Sequence, residues 1–249
     1  MMKKQGFTLA EVLITLTIIG VVATMTLPAL MTNTQEQQAK TGLKKGINTL
    51  TEAAQMHEAI EGFNYASLTD KSMVSKLNES TDGEGANTTV INSVKSLAGM
   101  LKERTKVDIA KTIDAASSGG STIKVGSGND TVIANEQVIY FNDGTALIFD
   151  NTDSQITSYE INESDNLPVG YVVVFDTNGL KGPNQLSNCA GKIAGGKDET
   201  KGADNTTQAV DIKTCQDKTK RVIKDQFTLR FRGNMVEPEG AAATWAFGS

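Results

Sequence analysis

From Phe7 to Met31 the chain is almost wholly apolar, 25 residues in which Glu11 is the single charged side chain. As a helix this stretch extends roughly 37 Å at 1.5 Å per residue, enough to cross a hydrocarbon layer of about 30 Å. Beyond Met31 the chain turns polar but keeps a helical period. Ala39, Leu43, Ile47, Leu50 and Ala54 recur at steps of three and four, one apolar stripe on a helix that continues to about Glu61 and stops at Gly62. The stripe is expected to pack on a globular part and to leave Lys40, Lys44, Lys45 and Glu52 exposed. Gly42 and Gly46 are weak spots in this helix, and His57 near its end reads as a surface or half-buried residue. Further on, Val90, Val94, Leu97 and Leu101 share a helical spacing, between loops "DGEGAN" and "SSGGS".

From about Thr122 the period shortens to that of β-structure. "QVIYFNDGTALIFD" predicts two strands around a turn at Asn142-Asp143-Gly144. "QITSYEI", "GYVVVFD" and "QFTLRFRGNMVEP" predict further strands, the last bending at Gly233-Asn234. A long helix followed by an antiparallel sheet is the α+β class. The expected organisation is a short basic start at 1–6, an apolar helix able to span a membrane at 7–31, its amphipathic continuation at 32–62, and a globular part at 63–249.

Charge changes the reading of the first segment. Lys3 and Lys4 precede the apolar run without an acidic neighbour, so the positive-inside rule keeps residues 1–6 in the cytoplasm and sends the rest across the membrane. The competitors are a cleavable signal peptide, for which "TMTLPALM" lacks an A-x-A site, and a plain anchor, which leaves Glu11 unexplained. A carboxylate in the apolar phase costs about 2–3 kcal/mol unless it finds a partner. Cleavage after Gly6 supplies one: the new amine of Phe7 lies four residues before Glu11, and a neighbouring copy's amine pairs with it best. Pro28 removes an N–H and clashes with the preceding turn, so a kink or opening is expected near Thr24, with Gly20 loosening the same stretch.

"KKQGFTLAEVLITLTIIGVVATMTLP" resembles the amino-terminal signature of type IV pilins and pseudopilins. The resemblance implies a pilin-like fold, with the sheet lying across the outer half of the helix. It implies cleavage by prepilin peptidase between Gly6 and Phe7, N-methylation of Phe7, and Glu11 as the assembly glutamate. Gly20 and Pro28 fall where many pilins carry a loosening Gly and Pro; Ala10 departs from the larger aliphatic that is commoner there. The implied partners are other pilin or pseudopilin subunits, the peptidase, assembly-platform membrane proteins and, before assembly, membrane lipid.

The head offers little chemistry. With one histidine, two cysteines and a formal charge of −5, it lacks a histidine-based metal cage, a zinc ribbon, a Ser/His/Asp set and an overall basic surface for nucleic acid. In "FDTNGLKGPN", Asp176 and Asn178 form either a partial calcium shell or a turn, the turn being favoured. This run, with the later "KDQFTLRFRGNMVEP", also resembles the carboxy-terminal pattern of some bacterial pilin-like proteins. "GSGNDTVI" matches one turn of a calcium-binding nonapeptide repeat, but there is a single copy, so it reads as a loop. Cys189 and Cys215 lie in the part expected outside the membrane, where a disulfide would staple a loop with no core of its own; free thiols or a metal pair are the alternative. In type IV pilins a carboxy-terminal disulfide often bounds a surface loop, and this pair is placed similarly.

The expected function is therefore structural, a filament subunit of a type IV pilus or a type II secretion pseudopilus, not an enzyme and without a cofactor. The alternative is a binding head displayed on the same anchor, as adhesin or DNA-uptake subunit, for which Lys218, Lys220, Arg221 and Lys224 are the basic cluster.

Overall fold

The structure, a computed structural model, describes residues 6–62, 97–108, 136–150, 156–161, 168–179, 181–189, 199–201, 207–209 and 212–249. Val90, Val94 and the "GSGNDTVI" segment fall outside them. Helix α1 spans Leu9–Glu61 and is followed by α2, Leu97–Arg104. The chain forms two compact units, Met1–Gln38 and Ala39–Ser249, and each is described by itself.

In the first unit α1 is unbroken through Gly20 and Pro28. Its large apolar side chains, from Leu9 to Met31, are exposed, and it is long and apolar enough to cross a membrane. The threonines fit this character. Thr15, Thr17, Thr24, Thr26 and Thr34 donate their hydroxyls to the carbonyls of Val12, Leu13, Val21, Val22 and Leu30, so none depends on water for a hydrogen bond.

In the second unit the predicted stripe is the buried face of α1: Ala39, Leu43, Ile47, Leu50 and Ala54 are all buried. Gly62 ends the helix with a positive φ of 75° and donates its N–H to Glu58 O. Two expectations for this helix are corrected. Lys40 is buried, because a carboxy-terminal helix that the sequence reading lacked brings Trp245 against it, with Nζ 3.9 Å from the ring centroid. His57 is 1 % exposed, because it continues the stripe one turn beyond Ala53 and Ala54. Lys45 and Glu52 stay on the exposed side as expected, and Lys44 is partly covered.

The sheet is antiparallel. Strands β1 (Glu136–Tyr140), β2 (Ala146–Asp150), β4 (Pro168–Asp176), β7 (Gln226–Arg232) and β8 (Met235–Pro238) follow in that spatial order, and β3 (Ile156–Ile161) pairs with β4. The β1–β2 turn has Gly144 at φ 89°, the conformation that made Asn-Asp-Gly a turn signal. Alternation sorts the side chains by face. Ile139, Leu147, Val173, Phe175, Phe227, Leu229 and Phe231 join the cluster with the stripe of α1 and with α2, while Val138, Tyr140, Ala146, Ile148, Val174 and Leu186 form a second cluster. Register aligns the first set across the strands, Ile139 opposite Leu147, Leu147 opposite Phe175, and Phe175 opposite Phe227.

Helix α3, Gly240–Gly248, closes the chain. Its sequence, "GAAATWAFG", shows no amphipathic spacing, yet alanine is the best helix former and small side chains let it lie close. Glu239 at its start accepts two hydrogen bonds from Arg230 of β7, at 2.9 and 2.7 Å, a paired contact that fixes where the helix begins. Between Cys189 and Cys215 a short ladder pairs β5 (Glu199–Lys201) with β6 (Thr207–Ala209), and a 3-10 turn at Ile212–Gln216 carries Cys215.

Candidate functional site

The candidate site in the first unit is the start of α1. Gly6, Phe7 and Thr8 precede the helix in exposed, non-helical chain, and Phe7 is 88 % exposed. Glu11 closes a reciprocal cap with Thr8. The Thr8 N–H and hydroxyl both donate to Glu11 Oε2 at 2.8 Å, and the Glu11 N–H donates to Thr8 Oγ1 at 3.3 Å. Thr8-Leu9-Ala10-Glu11 is thus a capping box. The T-x-x-E pattern ahead of an apolar run was the available signal, and the reading of Glu11 by charge alone passed over it. The cap leaves the carboxylate at the helix start, where the helix dipole favours negative charge.

In the second unit, two carboxylates hold one loop at the end of the sheet. Asp176 Oδ1 accepts the N–H groups of Asn178 and Gly179 at 3.0 and 2.7 Å, and Oδ2 accepts Gln226 Nε2 at 3.0 Å. Asp225 accepts the N–H groups of Asn184 and Gln185 at 2.7 and 2.8 Å, while its carbonyl accepts the N–H and hydroxyl of Thr177. Burial pushes the Asp176 carboxyl up to about 7; its amide donors and Gln226 pull down against this, and the charge of Asp225 adds to the rise. Gly179 has φ 62°, and a Cβ there would stand 2.4 Å from Gly144 O, so this turn and the β1–β2 turn touch through glycine.

Both oxygens of Asp176 face N–H donors, and Asn178 Oδ1 is a buried oxygen without a hydrogen bond. Among the described residues no group of three or more His, Cys, Asp or Glu could hold a metal. Asp225 was the member of this arrangement that sequence reasoning missed, since it lies 49 positions from Asp176 and only strand pairing unites them.

Cys189 and Cys215 are joined as a buried disulfide. Ala241 and Ala242 of α3 pack on it, with Trp245 alongside. Two residues of the basic cluster have partners. Arg221 lies 3.9 Å over the Trp245 ring and donates to Cys215 O at 2.9 Å, and Lys220 stands 4.0 Å from Asp217.

Fold and site together define an α+β chain with an exposed, apolar helix at its amino end, suited to a membrane, and a head whose polar groups brace loops. Residues 1–27 match the family model of the prokaryotic N-terminal methylation motif, the prepilin-type signature of type IV pilins and pseudopilins. No curated protein and no solved structure matches the chain. The motif points to a structural subunit rather than an enzyme, and it implies processing by a peptidase and assembly with other pilin subunits. With its apolar helix, it is consistent with membrane anchoring before assembly.

Proposed function

We propose that the chain is a subunit of a type IV pilus or type II secretion pseudopilus, cut after Gly6, methylated on Phe7 and assembled through α1. The observation that carries this reading is the exposed apolar half of α1, which begins just behind an accessible Gly6–Phe7 bond and bears one carboxylate at Glu11. Such a surface has two homes, a bilayer and a bundle of like helices. Moving from the first to the second, Glu11 pairs with the Phe7 amine of a neighbouring subunit. Gly20 and Pro28 give the segment the slack to adjust to that packing. The head faces outward from the cytoplasmic membrane and ends in the periplasm or at the cell surface.

Peptide mass spectrometry on filaments sheared from native cells, with the membrane fraction beside them, tests the reading. Methylated Phe7 as first residue in sheared material is the expected result for a pilus, and the same peptide confined to membranes for a pseudopilus. An intact Met1 leader in functional protein overturns the assignment.

A further inference from the structure

A cavity of about 520 Å³ opens in the second unit between α1, the chain after α2, the β1–β2 turn and the end of β4. That volume lies within the range of small-molecule sites, roughly 300–1,000 Å³. Leu50, Phe141 and Phe175 give it apolar walls. Gly46 of α1 lets the Phe175 ring lie directly against the helix, since a Cβ there would stand 2.4 Å from it. The charged residues of the lining are Lys45, Arg104 and Lys106 against the single carboxylate of Asp143.

The charges are not all spent on one another. Lys45 pairs with Asp143 at 2.8 Å, and Arg104 pairs with Glu61 at 2.9 Å. Lys106 is exposed and its ammonium faces no carboxylate within ion-pair distance among the described residues. The lining therefore joins an apolar interior to an excess of positive charge.

We infer that this cavity is a binding site for a small amphiphilic anion, a carboxylate on an aromatic or aliphatic body. The body lies against Leu50, Phe141 and Phe175, and the carboxylate meets Lys106, with Lys45 in reach by exchanging its exposed partner. Charge complementarity selects the anion, and cavity size selects a small molecule over a protein segment. The inference does not depend on filament assembly, since the cavity belongs to the head of a single copy.

Titration calorimetry of the full chain in nanodiscs, with 4-phenylbutyrate as probe and 4-phenylbutanol as its uncharged counterpart, tests it. The expected result is saturable binding of the carboxylate that weakens about tenfold in Lys106→Glu, is lost in Thr49→Phe, which fills the cavity, and is much weaker for the alcohol. Unchanged far-ultraviolet spectra establish that both variants are folded. Three results overturn the inference: no saturable binding to wild type, equal binding to wild type and Thr49→Phe, or equal binding of acid and alcohol.

Discussion

Glu11 carries two roles that substitution separates. Glutamine serves a capping box as glutamate does but carries no charge, whereas Thr8→Val removes the cap and keeps the carboxylate. Under the proposed function, Glu11→Gln lowers the yield of sheared filaments about tenfold or more, because a charge pair is lost. Thr8→Val costs about 0.5–2 kcal/mol at the helix start and leaves assembly largely intact. Equal loss in both would mean that Glu11 acts through the cap alone.

Asp176 makes the head sensitive to pH. Its folded-state pKa of about 7 lies above the ordinary value near 3.9, so between these the folded state binds the proton more tightly. Its contribution to stability is full below about pH 4 and is lost as pH rises through about 7. Asp176→Asn keeps an oxygen for the two amides, and Gln226 can turn its amide to match. Thermal melts of the full chain in detergent at pH 5 and pH 8 should show a higher Tm at pH 5, and a smaller gap in Asp176→Asn. Calcium and EGTA should leave the wild-type Tm unchanged, because the carboxylate oxygens are already engaged by N–H donors; a calcium-dependent rise would overturn the turn reading.

At the scale of elements, the glycines of α1 look alike in the sequence and differ in the structure. A Cβ at Gly46 would stand 2.4 Å from the Phe175 ring, while at Gly20 it meets nothing within 4 Å. Helix propensity alone favours alanine at both by roughly 1 kcal/mol. Overpacking a buried ring costs about 1–3 kcal/mol, so Gly46→Ala should destabilise the head and Gly20→Ala should not. Tm values for both variants in the same detergent check the sign. The strands were legible because each alternates locally and is bounded by turn residues. Helix α3 was not, since its burial is decided by contacts with the disulfide and α1 rather than by a period in its own nine residues.

On the scale of the whole molecule, the disulfide links the segment from Cys189 to Cys215 to the packing of α3. With the cysteines 26 positions apart, loop entropy gives about 3.5 kcal/mol for closing this link. The Cys189→Ser/Cys215→Ser double variant should lose about that much stability. It should also alter the fluorescence of Trp245, whose ring rests beside the cystine cluster between α1 and Arg221. A stability loss with unchanged Trp245 emission would mean that the link acts on the unfolded chain alone.

The sequence by itself determined the length and apolar character of α1, its buried stripe, its stop at Gly62 and the pairing partners β1 and β2. These follow from local periods and from turn residues that act within a few positions. It also held the prepilin-type signature, which is contiguous. Only the tertiary structure decided that Lys40 and His57 are buried, that Asp225 shares a loop with Asp176, and that Lys45, Lys106 and Phe175 border one cavity. Those outcomes depend on which distant segments meet, and a sequence period carries no record of the partner that covers a given face.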